Sequence, residues 1–371
     1  YIIILLFSIF AIEQTTFAKD TTKKHSKENI SNYFSGVVSA NQDFNTEAFE
    51  NLKKVKLLKN KHSNFNLEFI RTLILLEKFN EAFSYAISLE ETDKSFFEID
   101  LIIGLNYFIN KDYHNAEIYF EKLNNVYESN FLFKDFFGNT LIAWSKAIQK
   151  DKSQSFKYIK KIPKHYGNLT KIQTALLSCY FNKDDTLFTF QNLVESEDYN
   201  FSRYNFFLVN YLLYEKKNFE IKKIISKSRL KDDSNLLLKQ TQKHIENNEK
   251  NKIKRLFNCK NANHSIAEFF YIIANLYASE KNYILFNYYL KISLFLNNKF
   301  LSNKALLAEN LYNQGKNLKS KNVYNSLKSI GPIYSWHASK NVASILQIEE
   351  GTKYSIQTLE KDFNLLSDKN Y

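Results

Sequence analysis

Ala48, Ala82 and Ala116 stand 34 residues apart, and the first two share a Glu-Ala-Phe setting. This period constrains the fold more than any other feature. It matches a helix–turn–helix unit that cannot bury its apolar face alone and must stack on copies of itself. A small residue at a fixed place lets two helices approach closely, and bulky residues nearby fill the groove between neighbours.

The period can be followed along the chain. The first unit has Gly36, Ala48 and Leu52; the second has Leu73, Ala82 and Ala86. The third has Gly104, Tyr107, Ala116 and Phe120, with Asn110-Lys111-Asp112 as its turn. Residues 130–163 give Ala143, Ser155 and Ile159, and Pro163 ends the helix. Residues 165–198 and 199–232 read as helical pairs with eroded small positions, so their register stays open. Residues 239–255 are polar all round and read as an exposed helix or linker within a boundary segment, 233–263. From about residue 265 the pattern resumes with Ala274, Tyr277 and Leu290, then Ala308, Leu311, Ser320 and Tyr324. A last unit has Ala343, Leu346, Ser355 and Leu359, with Gly351 at its turn. This gives about nine units in two arrays, 30–232 and 264–371. Trp336 and Tyr334, beside Pro332, read as core at the start of the last unit.

Composition agrees with an all-helical chain. Gly (7) and Pro (2) are too few for the turns of a barrel or for glycine-rich phosphate loops. The net charge of +12 is carried almost wholly by Lys. Phosphate readers favour the bidentate fork of Arg, so the charge reads as a solvated surface and nucleic acid is not an expected partner.

Residues 2–12 form an apolar run too short to span a bilayer, followed by Thr16-Phe17-Ala18. Residues 1–18 read as a secretory signal peptide lacking its basic n-region, with an uncleaved anchor as the alternative. The polar segment 19–29 follows. The expected location is periplasmic or otherwise exported. Cys179 and Cys259 read as two small apolar side chains in helix packing; export permits a disulfide as the alternative.

The array resembles the tetratricopeptide repeat superfamily. The segments AEFFYIIANLYASEKNY, LKISLFLNNKFLSNKALLAENLYNQGK and IGPIYSWHASKNVASILQIEEG also resemble exported repeat proteins of alphaproteobacteria. Several units depart from the superfamily pattern, with Phe190, Lys222 or Phe286 where Ala is usual. The resemblance implies an α-solenoid of tandem helix–turn–helix repeats in a right-handed superhelix. It implies a binding scaffold with no catalytic residues, cofactor or metal.

The residues agree with that implication. None of the seven His begins a metal-binding pair, and no nucleophile elbow, Walker loop or dinucleotide fingerprint is present. In such arrays the first helix of each unit lines the concave groove. Threading the groove positions gives Tyr33, Leu67, Arg71, Leu101, Leu105, Phe108, Trp144, Phe207, Tyr211, Tyr214, Tyr271, Asn275 and Glu309. Aromatic groove residues would give contact area with little rotamer entropy lost; the competing reading packs them between repeats. The expected function is protein or peptide binding in the cell envelope. The alternative is a Lys-rich surface that binds an anionic polymer or lipid head groups, placed in 239–255. An envelope enzyme of the lytic transglycosylase kind is disfavoured, because the repeats leave no room for its catalytic domain.

Overall fold

The turn inside every helical pair but the last is built on one left-handed residue. These are Asp43, Glu77, Lys111, Lys150, Asn182, Lys216, Asn248, Lys281 and Gly315, with φ between 51° and 71°. They recur every 32 to 39 residues. In each, the N–H one residue later reaches the carbonyl five residues back, as in Lys78 to Leu73, Lys183 to Ser178 and Glu249 to His244. That is the Schellman closure, which satisfies carbonyls left over at a helix end. With so few glycines, Lys, Asn, Asp and Glu occupy a conformation that L-residues enter at a cost.

The computed structural model describes residues 26–59, 61–90, 96–124, 134–196, 200–231 and 235–366. Residues 1–18, read above as a signal peptide, and the polar segment from 19 to 25 lie outside the described residues. Among the described residues there are twenty α-helices and no strand. The chain divides into two compact units, one ending at Asp112 and the other beginning at Tyr113.

The first unit holds α1 (Lys27–Asn41), α2 (Asn45–Lys54), α3 (Ser63–Leu75), α4 (Phe79–Ile87) and α5 (Phe97–Ile109). Helices adjacent in sequence pack together, and α3 also packs on α1 and on α5, as expected of a solenoid. Ala48 and Ala82 are fully buried at the helix crossings. Gly36 has the same origin: a Cβ there would lie 2.7 Å from the Leu52 side chain.

The second unit runs through α6 (Tyr113–Lys122), α7 (Phe137–Ile148), α8 (Lys152–Lys161), α9 (Gly167–Tyr180), α10 (Thr186–Val194), α11 (Tyr204–Tyr214) and α12 (Asn218–Lys231). It continues with α13 (Leu236–Glu246), α14 (Lys250–Leu256), α15 (Ala262–Ser279), α16 (Tyr283–Leu296), α17 (Lys304–Asn313), α18 (Asn317–Leu327), α19 (Pro332–Glu350) and α20 (Thr352–Leu365). Asn182 and Lys216 fix the register of 165–232, which the eroded sequence had left open.

Residues 239–255 differ from the expected exposed linker. Asn248 marks them as one more helical pair, α13 and α14. Leu237, Leu238, Gln240, Thr241, His244 and Ile253 are buried. The polar side chains are accommodated because they find partners inside. Gln240 Oε1 accepts the N–H of Ile333 at 3.0 Å, and Asn210 Nδ2 donates to the carbonyls of Ile253 and Phe257. Gly331 (φ 155°) presses against Gln240, where a Cβ would come within 2.3 Å.

The second unit also departs from nearest-neighbour stacking. α15 lies against α7 and α9, and α13 against α19. The seam is aromatic: the rings of Phe136 and Phe137 meet Phe269 at 5.5 and 5.0 Å, and Phe137 meets Tyr289 at 5.8 Å. First helices from distant pairs thus cover one another's apolar faces, which removes area from water at about 25 cal/mol per Å².

Cys179 and Cys259 are joined in a disulfide, against the reading as two packed thiols. Pairing of α11 with α13 and α14 brings the loop after α14 to the end of α9. Lys260 Nζ donates to the Cys179 and Tyr180 carbonyls at that helix end, both at 3.0 Å. A cation there complements the helix dipole.

Candidate functional site

Where the second unit closes on itself it leaves a cavity of about 690 Å³ between α9, α11 and α15. That volume suits a small ligand or a short peptide segment. One wall is apolar, formed by Leu169, Ile172, Ile272 and Leu276. The rest is aromatic and polar.

Arg203 and Glu268 form its floor. Arg203 Nε and Nη2 donate to the two Glu268 oxygens, each at 2.9 Å, and Nη2 also donates to Asn303 Oδ1 at 2.8 Å. The Glu268 side chain is fully buried, whereas Arg203 keeps 21% of its side chain exposed. The guanidinium lies 4.1 Å from the Tyr271 ring and 5.2 Å from Phe300. The Tyr204 hydroxyl donates to Glu268 Oε1 at 3.3 Å. Burial works against the Arg203 charge, but the carboxylate beside it more than offsets this and holds the guanidinium protonated. Burial raises the Tyr271 hydroxyl, with Arg203 opposing and Glu268 adding, so it stays a neutral donor. Burial also raises Tyr166, helped by Asp135.

Several cavity groups keep hydrogen-bonding capacity in reserve. Arg203 Nη1, the Tyr271 hydroxyl and the Asn168 and Asn275 amides make no hydrogen bond with any described residue. Asn200 and Asn235 are used structurally instead: Asn200 Oδ1 accepts the Ser202 N–H, and Asn235 caps α13 at Leu238.

Of the thirteen groove positions, only Tyr271 and Asn275 reach this cavity. Trp144, Phe207 and Tyr211 are buried, as are Leu101, Leu105 and Phe108 in the first unit. They correct the groove assignment in favour of packing between repeats. Trp144 Nε1 donates to Gln173 at 2.9 Å, and Phe207 packs on Phe257 at 4.7 Å. Phe207 is covered by the closure of the second unit, which brings Phe257 and Phe300 onto it, whereas Trp144 is covered within the stack by Gln173 and Tyr180 of α9. Tyr214 is 41% exposed and its hydroxyl donates to the Lys254 carbonyl. In the first unit Tyr33 packs on His62 at 4.7 Å, and Arg71 bonds Glu68 and the buried Glu98. Leu67 is half-buried, and Glu309 is exposed on α17.

Arg203 and Glu268 were missed by sequence reasoning. Their signal is slight: one of only four Arg, and one acid inside the apolar run of α15. No helix among the described residues is long and apolar enough to cross a membrane.

The fold defines the chain as an α-helical repeat protein built of helix–turn–helix pairs. No family model and no curated protein matches it. Among solved structures it is similar to a monomeric mutant of IFIT1 with Gppp-AAAA. The two share 13% identity at a TM-score of 0.28, over 92% of this chain and 91% of that one.

Proposed function

We propose that this chain is a non-catalytic scaffold of the cell envelope that binds a protein or peptide partner through the cavity between α9, α11 and α15. One observation carries the reading. Side chains from three helices converge on a cavity with hydrogen-bonding groups that no described residue satisfies. These groups are reached from solvent rather than sealed in the core, so an incoming ligand can take them. The leader-like residues 1–18 and the Cys179–Cys259 disulfide support an exported location, where disulfides persist.

The test uses residues 19–371 as bait against an envelope extract, beside the Asn275→Ala/Leu276→Glu double variant. A protein retained in high salt and lost with the variant supports the reading. Capture indifferent to the variant would sink it.

A second reading has its own observation. Residues 152–183 carry seven Lys and no Asp or Glu, and Lys152, Lys157, Lys160, Lys161, Lys164 and Lys171 are all exposed. This face, rather than 239–255, is where an anionic polymer or lipid head group would dock. Its mark is binding that falls steeply with salt.

A further inference from the structure

We infer that the cavity takes an uncharged peptide segment, with a large apolar side chain against the Leu169, Ile172, Ile272 and Leu276 wall and a backbone carbonyl on Arg203 Nη1. The inference rests on the proposed partner-binding role of this cavity and names the chemistry of its ligand.

The electrostatics favour a neutral acceptor over an anion. Arg203 is neutralised by Glu268 at two hydrogen bonds of 2.9 Å, and that carboxylate is fully buried. An anionic group at Nη1 would meet the Glu268 charge directly behind the guanidinium, which offsets the attraction of Arg203. A carbonyl takes the free N–H pair without that repulsion. Asn168 and Asn275 each offer one acceptor and one donor group, which matches the C=O and N–H of a peptide unit.

The rings argue against a sugar. Stacking on a carbohydrate needs open aromatic faces, and each of the three tyrosine rings of the lining already carries a neighbour. The Tyr271 ring carries the Arg203 guanidinium at 4.1 Å. Tyr166 is stacked on Phe136 at 4.9 Å and contacted by His165 at 4.0 Å. Tyr204 is stacked on Phe207 at 5.3 Å. What stays open is the aliphatic wall, and a Leu or Phe side chain fits it.

The test is calorimetric titration of residues 19–371 with end-capped pentapeptides of glycine carrying Leu, Phe, Asp or Lys at the centre, and with chitotriose. Leu- and Phe-centred peptides should bind about tenfold or more tighter than Asp-centred ones. Leu276→Glu should abolish that preference, and Asn275→Ala should weaken all the peptides. Leu318→Glu, at a position 69% exposed on α18, should change nothing. Preference for the Asp-centred peptide, tighter binding of chitotriose, or no binding by any probe would each overturn the inference. If the captured envelope protein is still lost with Asn275→Ala/Leu276→Glu, the docking site stands and only its assigned chemistry fails.

Discussion

Ser320 donates its hydroxyl to the main-chain carbonyl of Ala308, twelve residues earlier, at 2.8 Å. Ser155 with Ala143 and Ser355 with Ala343 repeat the arrangement at the same separation. Each bond ties the second helix of a pair to the first at its closest approach. Other units carry Ala at the equivalent place, so small size is the requirement and the hydroxyl is an addition. Ser320→Ala should therefore cost no more than about 1 kcal/mol. Ser320→Leu should cost about 1–3 kcal/mol or more by overpacking. Urea unfolding of both variants checks the ratio.

Lys111, Lys216 and Lys281 hold left-handed turns on exposed surface. Glycine enters that conformation without the Cβ clash. Each Lys→Gly change should stabilise by roughly 0.5–1 kcal/mol, net of the added chain entropy. The unfolding midpoint should rise with each replacement; a fall at all three would contradict the turn geometry.

Trp144 belongs to the core. Trp144→Ala should lose about 3–5 kcal/mol, because it opens a cavity and strands Gln173. Tyr214→Ala, at a position 41% exposed, should lose less than about 1 kcal/mol. Thermal melts of the two variants should differ widely.

The disulfide spans 80 residues of sequence. Closing a loop of that size stabilises by about 4 kcal/mol in the chain-entropy account. Cys179→Ser/Cys259→Ser should lower stability by about that amount, and reductant should do the same to the native chain but not to the variant. Peptide mass mapping should recover Cys179 linked to Cys259.

His264 sets a pH dependence. Burial, with Lys299 adding, lowers it from 6.5 to about 4. Its Nδ1 accepts the Asn258 N–H at 3.0 Å, which requires that nitrogen to be unprotonated. The unfolded chain therefore takes up the proton first. Stability is full above pH 6.5, falls as pH drops toward about 4, and levels off below. His244 and His337 are lowered by burial too and steepen the fall. Melting temperature against pH should show this slope, and His264→Asn should reduce it.

Much of the architecture was legible in the sequence. Ala48, Ala82 and Ala116 are all fully buried, and Ser155, Ser320 and Ser355 stand where the period put them. The turns at Lys111 and Gly351 were also legible, because capping and helical spacing act between residues a few positions apart. The pair at 236–256 was not. Its Ile253 carbonyl is satisfied by the Asn210 side chain and its buried Gln240 by the α19 backbone, and no local pattern announces a partner 43 or 93 residues away.

The candidate site was legible only in Tyr271 and Asn275. Arg203 and Glu268 lie 65 residues apart in sequence, and Cys179 and Cys259 lie 80 apart. The sequence by itself determined the repeat, its period and its helical content, since each follows from short-range sterics and apolar spacing. Tertiary structure alone decided which aromatic faces became core, which thiols paired and where a cavity stayed open. Those outcomes depend on α15 lying back against α7 and α9 and on α11 pairing with α13 and α14, contacts between helices up to more than a hundred residues apart, whose energy no single repeat contains.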